Sequence, residues 1–147
     1  MTAITTRPIR ETRTGLDVAA GAAPGDSHLR MALRADATLC AGLGLLIAMA
    51  ADALSQLSGL SPTSEWIAGA ALVAYGATLY LLAGLPDVRR VGAGVLAGNI
   101  AFAIVVTVVL VAGWLPLTAL GVVATIAFTA VTLAFAYVQY LGVRRLA

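Results

Sequence analysis

The sequence has few of the residues on which enzymatic chemistry usually depends. Only 11% of its 147 residues are charged, and it contains one cysteine, Cys40, one histidine, His28, and no lysine. Within one chain, this excludes a disulfide, a paired-cysteine redox centre, a zinc site and a bis-histidine haem. The sequence also shows no nucleophile–base pair and no cluster of acids. We therefore expect no catalytic residues, no metal and no cofactor, and a function that is not enzymatic.

Apolar residues dominate instead. They make up 61% of the chain, and the mean hydropathy is +0.96. Soluble domains are usually about half apolar and about a quarter charged, so this composition excludes an ordinary soluble enzyme and predicts a protein embedded in a lipid bilayer. The pI near 9.1 does not indicate nucleic-acid binding. The arginines flank apolar stretches and lack the interleaved aromatic residues of a base-stacking surface.

The longest stretch without charge shows how the chain is threaded. From Val91 to Val143 there are 53 consecutive residues with no Asp, Glu, Lys or Arg. A single helix of that length would run about 80 Å, whereas the bilayer core is about 30 Å thick, so the chain must fold back once. Residues 113–116, Gly-Trp-Leu-Pro, mark the turn, because glycine ends helices and proline suits the first turn of the next one.

Two earlier apolar segments complete the count. The stretch from Trp66 to Pro86 is long enough for one span, and Ser61 and Pro62 precede it as an N-cap and a first helical residue. Between Asp36 and Asp52 lie only 15 residues, fewer than the roughly 20 that a span needs, but no helix breaker interrupts the flanks. We predict an all-α polytopic membrane protein, a four-helix transmembrane bundle over residues 27–147. Its spans are expected at about 33–56, 65–85, 91–113 and 116–141.

The arginines predict the orientation of this bundle. Five precede the first span, two lie between the second and third, and two follow the fourth: Arg7, Arg10, Arg13, Arg30, Arg34, Arg89, Arg90, Arg144 and Arg145. With four spans all of them fall on one side, which the positive-inside rule assigns to the cytoplasm together with both termini. Residues 1–26 lack apolar periodicity and are predicted to be a disordered cytoplasmic tail.

Polar residues inside the spans are the candidate functional residues. Asn99 lies roughly 13 Å beyond Arg90, near mid-membrane, and Tyr75 lies at a similar depth on the neighbouring span. Together they would form either a structural clasp between helices or, with Asp36 and Gln139, part of a ligand or ion pathway. For Asp36 we expect an ion pair with arginine at the cytoplasmic edge, the alternative being proton or cation binding.

Two faces of small residues predict close helix packing. In the fourth span the face is spaced by three and four residues and includes Thr118, Gly121, Thr125, Thr129 and Thr132. Its threonines can return their hydroxyls to backbone carbonyls four residues earlier, so the face favours packing over a pore lining. In the third span, Gly94 and Gly98 have the GxxxG spacing and would serve either the bundle or a homodimer.

Four short motifs resemble those of a group of small bacterial four-helix membrane proteins of uncharacterised function. They are Leu33-Arg34-Ala35-Asp36, Val73-Ala74-Tyr75, Ala97-Gly98-Asn99 and the run Val138-Gln139-Tyr140-Leu141-Gly142-Val143-Arg144-Arg145. Members commonly have tryptophan where this chain has Phe102 and Tyr140. The resemblance implies a bacterial inner-membrane location and the four-span topology, singles out Asp36, Asn99 and Gln139, and implies no particular activity.

Three functions are consistent with these features. The first is a non-enzymatic protein that acts through helix–helix contacts with itself or with a membrane partner. The second is a small transporter or channel for a small solute or ion, and the third is a lipid- or quinone-binding protein.

Overall fold

The structure is a computed structural model that describes residues 24–146, and within that range the chain is entirely helical apart from turns. Five helices follow one another: α1 Pro24–Met49, α2 Ala51–Ser58, α3 Pro62–Leu82, α4 Val88–Val111 and α5 Ala119–Arg145. Four of them, α1, α3, α4 and α5, are long and apolar enough to cross a membrane. The all-α class and the four candidate spans are confirmed, but the prediction of four helices misses α2.

The first predicted span, 33–56, is wrong at both ends. The helix already begins at Pro24, so residues 24–26, assigned to the disordered tail, are helical. The rest of that tail lies outside the described residues. At the other end α1 stops at Met49, and Ala50 leaves the helical conformation with φ −104° and ψ 18° before α2 begins. Because α1 begins at Pro24, Asp36 lies in the middle of the helix. The apolar residues after Asp36 are therefore only part of the span, which accounts for their small number.

The other boundaries follow from local capping. The predicted cap of the second span is confirmed: Ser61 accepts a hydrogen bond from the Ser64 backbone N–H at 3.1 Å, and Pro62 is the first residue of α3. In contrast, α5 begins at Ala119 and not at Pro116, because Thr118 is its N-cap and accepts from the Gly121 N–H at 3.0 Å.

Helices α1 and α3 pack closely because glycines face each other across them. A Cβ atom built on Gly44 would lie 2.6 Å from the Gly69 carbonyl oxygen, and one on Gly76 would lie 2.5 Å from the Ala37 carbonyl oxygen. These distances are far below van der Waals contact, so only glycine allows the two backbones to approach this closely.

One end of the bundle carries all six described arginines, in the first half of α1, in the first turn of α4 and at the end of α5; we call it the arginine end. Just inside it lies an apolar plug of buried residues: Leu29, Leu33, Ala37, Leu79, Ala83 and Val88. Arg30 closes the plug by donating to the carbonyl oxygens of Ala83, Leu85 and Pro86 at 2.8, 2.7 and 3.2 Å. The guanidinium thereby satisfies carbonyls that the end of α3 leaves without helical partners.

At the opposite end, which we call the far end, α2 joins the starts of α3 and α5. The Thr118 hydroxyl donates to the Leu57 carbonyl, and the Thr118 N–H donates to the Ser58 carbonyl at 2.8 Å. The Ser58 hydroxyl donates to Glu65, which is buried in the first turn of α3. These bonds hold α2 in place although nothing in its own sequence marks a break at Ala50.

Candidate functional site: a polar cluster among four helices

The four candidate pathway residues meet inside the bundle, and each comes from a different long helix. Asp36 lies on α1, Tyr75 on α3, Asn99 on α4 and Gln139 on α5. Together with Cys40, one turn after Asp36, they form what we call the polar cluster. Asp36, Asn99 and Gln139 are at most 5% exposed, whereas Tyr75 is 39% exposed and joins the cluster through its hydroxyl.

The hydrogen bonds of the polar cluster converge on the Asp36 carboxylate. Gln139 Nε2 donates to Asp36 Oδ2 at 2.8 Å, and Asn99 Nδ2 donates to the same oxygen at 3.4 Å. Asn99 Nδ2 also donates to Gln139 Oε1 at 3.1 Å. The Tyr75 hydroxyl donates to Asn99 Oδ1 at 3.2 Å, which joins α3 to α4 as the clasp interpretation predicted. Thus Asn99 connects the other three residues.

The two oxygens of Asp36 are in different environments. Oδ2 accepts from two amide groups, whereas Oδ1 has only the Cys40 thiol, with Sγ at 3.5 Å. A thiol is a weak donor, so Oδ1 keeps acceptor capacity that no strong donor uses. A proton or a small cation that bound to Oδ1 would therefore disrupt only the weak bond from the Cys40 thiol, whereas binding to Oδ2 would disrupt two amide hydrogen bonds.

The expected ion pair between Asp36 and arginine is wrong. Within residues 24–146 none of the arginines pairs with Asp36: Arg30 binds backbone carbonyls, Arg34 lies over the Tyr80 ring at 5.7 Å, and Arg90 pairs with Asp87 at 3.1 Å. For Arg30 the reason is depth, because Asp36 lies six residues, or about 9 Å, further along α1 and the apolar plug fills the space between them. Arg34 is nearly as deep as Asp36, but it lies on an exposed face of α1 whereas Asp36 is buried.

The polar cluster is closed off on the arginine side and internally satisfied. Leu29, Leu33, Leu79 and Val88 of the plug are all at most 2% exposed. Among the described residues, no buried side-chain nitrogen or oxygen lacks a hydrogen-bond partner. Toward the far end, Ala103 and Thr129 are buried, whereas Val106, Leu110 and Thr125 are half-buried. Any exchange with the surroundings would therefore require side chains to move on one side of the polar cluster or the other.

The threonine face of α5 has the geometry of packing residues. Thr125, Thr129 and Thr132 donate to the carbonyls of Gly121, Thr125 and Phe128 at 2.8, 2.8 and 3.0 Å. Their hydroxyls are therefore used within their own helix, as the i−4 pattern allows. Gly121 packs directly against the backbone of Ser58, while Thr118 caps the helix instead of lying on its face.

Gly94 and Gly98 do not pack inside the bundle. A Cβ atom built on either glycine would have no atom within 4 Å. Between α1 and α3 the glycines that allow the close approach are Gly44, Gly69 and Gly76. Of the two roles that the GxxxG spacing predicted, packing inside the bundle is not what these glycines do, and contact with a second copy stays a prediction, because spacing alone does not say which face is covered.

Cys40 and Glu65 are the polar partners that the sequence did not reveal. The spacing of four residues from Asp36 to Cys40 was the available signal, but a lone thiol in an apolar helix normally indicates only a small buried side chain. Glu65, in the first turn of α3, is 8% exposed and bonded to Ser58, a contact that its position in the sequence does not indicate. Within residues 24–146 no group of three or more His, Cys, Asp or Glu could hold a metal ion.

Comparison with known proteins adds no name to this arrangement. No protein-family model matches the chain, and neither a curated protein nor a solved structure matches it. The function of the polar cluster is therefore inferred from its geometry alone.

Proposed function

We propose that the protein is a small non-enzymatic transporter or channel of the bacterial inner membrane, in which Asp36 binds a proton or a small monovalent cation. The observation that carries the proposal is a buried carboxylate, 4% exposed, with no basic partner among the described residues. An ionisable side chain within a membrane span is costly, by about 2.5–3.5 kcal/mol on insertion scales, and such residues usually mark ion or substrate pathways.

The proposed orientation places the arginine end, both termini and the tail in the cytoplasm, with the far end outside. The grouping of all six described arginines at one end supports this orientation by the positive-inside rule. The polar cluster then lies about 10 Å inside the cytoplasmic boundary, behind the apolar plug. In the proposed function the ion reaches Asp36 from the outer side, and movement of the plug releases it to the cytoplasm.

A purely structural clasp would not need a carboxylate. The bonds from Gln139 and Asn99 to Oδ2 require only an acceptor oxygen, which an asparagine at position 36 would also supply. What aspartate adds is a second oxygen and the ability to change charge. That difference allows a clean test, because Asp36→Asn preserves size and the acceptor while removing the titratable group.

The test measures ion flux in liposomes that contain the purified protein. Proton, sodium and potassium gradients are imposed in turn, and flux is followed with a pH-sensitive dye or with isotopes. Asp36→Asn is expected to abolish the flux. Asp87→Asn, the same change at a partly exposed N-cap that the amide can still fill, is expected to leave it intact.

Two results would contradict the proposal. One is a wild-type protein that conducts none of the three ions under any imposed gradient. The other is a flux that persists in Asp36→Asn at the wild-type rate. Helical content measured by circular dichroism, together with a single symmetric peak in size-exclusion chromatography, shows that each variant has folded.

A second candidate function is association with another copy through α4. Its supporting observation is that Gly94 and Gly98 leave an open surface on the candidate span with the smallest buried share, 11%. Such a surface allows a second helix to approach closely. Crosslinking in membranes should give a dimer that Gly98→Ile disrupts and Gly42→Ile does not, because Gly42 is an equally open glycine on α1. A strictly monomeric wild type would rule this candidate out.

A further inference from the structure

A second feature lies on the outside of the bundle, away from the polar cluster. A shallow apolar groove of about 810 Å³ lies along α1 beside the end of α3, and the exposed glycine Gly42 is among its lining residues. Leu39, Leu43 and Leu46 line it toward the far end, while Arg34, Tyr80 and Met31 line it toward the arginine end. The groove is therefore apolar along its length and positively charged at one end only.

The charge at this end of the groove is not neutralised within the described chain. Arg34 is exposed, and its guanidinium lies over the Tyr80 ring without an ion pair to any carboxylate of residues 24–146. Arg34 lies one helical turn, about 6 Å, deeper than Arg30, which binds the loop between α3 and α4. This is the depth at which arginine and tyrosine side chains extend toward lipid headgroups from an apolar surface.

We propose that this groove is a binding site for an anionic phospholipid of the leaflet at the arginine end. The lipid phosphate binds the Arg34 guanidinium, and the Tyr80 hydroxyl supplies a further hydrogen-bond donor. One acyl chain lies along α1 over Gly42, between the leucines. The occupant follows from the combination of a cation that has no carboxylate partner and can extend toward the headgroups with an apolar groove that leads from it toward the bilayer centre.

The Thr38 side chain supports this assignment. It lies in the groove next to Arg34, but its hydroxyl donates to the Arg34 carbonyl at 2.8 Å. Thr38 therefore contributes no free hydroxyl donor to the groove. Beyond Arg34, the side chains of α1 that line the groove offer no unused hydrogen-bond donor, so this part of the groove is suited to a hydrocarbon chain.

The test compares lipid retention by native mass spectrometry. The purified full-length protein is incubated in mild detergent with equal amounts of phosphatidylglycerol and phosphatidylcholine. The wild type is expected to retain phosphatidylglycerol selectively. Arg34→Gln should reduce that retention about fivefold, which corresponds to the roughly 1 kcal/mol of one arginine near anionic headgroups. Arg145→Gln removes the same charge outside the groove and should change retention little.

A second pair of variants tests the apolar part of the site without changing charge. Gly42→Phe places an aromatic ring in the groove and should reduce phosphatidylglycerol retention. Gly98→Phe, at an equally open position on α4, should not reduce it. Inorganic phosphate is expected not to compete, because it lacks the acyl chain.

Several outcomes would overturn the proposal. Equal losses in Arg34→Gln and Arg145→Gln would show only diffuse attraction to the arginine end. Unchanged retention in Gly42→Phe, or equal retention of the two lipids by the wild type, would exclude an acyl chain in the groove or an anionic headgroup at its charged end. A second copy of the chain crosslinked across Gly42 would assign the groove to protein contact instead. All four substitutions lie on exposed positions, so they should leave the fold intact.

Discussion

The close contact between α1 and α3 predicts opposite effects for the same substitution at two glycines. In Gly76→Ala the added methyl would lie 2.5 Å from the Ala37 carbonyl oxygen and 2.7 Å from the Ala41 nitrogen. Both neighbours are backbone atoms, so the helices must move apart by about 0.9 Å to reach an ordinary contact near 3.4 Å. Overpacking of this kind typically costs about 1–3 kcal/mol.

Gly98→Ala is the matched control, because its added methyl would meet no atom within 4 Å. Replacing glycine by alanine in a helix interior gains up to about 1 kcal/mol in helix propensity, and both variants share that gain. The difference between the two variants therefore isolates the packing cost. Gly76→Ala should be less stable than Gly98→Ala by about 1–3 kcal/mol.

The assay is reversible unfolding in mixed detergent micelles, followed by circular dichroism for wild type and both variants under identical conditions. If the two variants agree to within about 0.5 kcal/mol, the close approach of α1 and α3 is wrong. A loss of stability in Gly98→Ala would show instead that α4 is covered, and would favour the association of copies through that helix.

Three further predictions concern hydrogen bonds between elements. The first and third use the same unfolding assay, and the second uses amide hydrogen exchange. Asn99→Leu removes three hydrogen bonds and should lower the free energy of unfolding by about 2 kcal/mol, at roughly 0.6 kcal/mol for each bond within a membrane. The control Thr107→Val loses only a bond to its own helix and should change that free energy by less than about 0.5 kcal/mol. Equal effects would mean that the polar cluster does not join the helices. Arg30→Gln should lose the charged donor at the end of α3 and speed the exchange of the amide hydrogens of residues 83–85 and 87. Unchanged exchange would show that this segment does not depend on Arg30. Thr118→Ala should cost about 1 kcal/mol by removing the cap of α5 and its bond to α2, and Thr118→Ser should restore most of it; a serine variant as unstable as alanine would contradict the capping role.

The sequence predicted the gross architecture because the physical signals for spans are local. A charge-free stretch, its length and the residues at its ends depend only on neighbours along the chain, and they located four long apolar helices to within several residues. Boundaries failed where tertiary contacts decide them. Ala50 interrupts a helix that local propensity would continue, and α2 is held by Thr118, 61 residues away from its partner Leu57.

For the same reason, the sequence predicted the residues of the candidate site but not the contacts between them. Rarity of polar residues in apolar spans identified Asp36, Tyr75, Asn99 and Gln139, and depth estimates placed Asn99 and Tyr75 at similar levels. Which atoms meet could not be read from depth, because rotation of each helix about its axis is set by packing with its neighbours. The structure thus replaced the expected arginine partner of Asp36 by two amides and a thiol.

By itself, then, the sequence determined the long apolar helices and the gathering of the six described arginines at one end of them, since hydrophobicity and charge act residue by residue. Only the tertiary structure decided which faces are covered. It buried Gly76 and left Gly98 open, and it sealed Asp36 behind the apolar plug while leaving Arg34 exposed beside a groove. Those distinctions depend on contacts between residues far apart in the chain, and no local pattern encodes them.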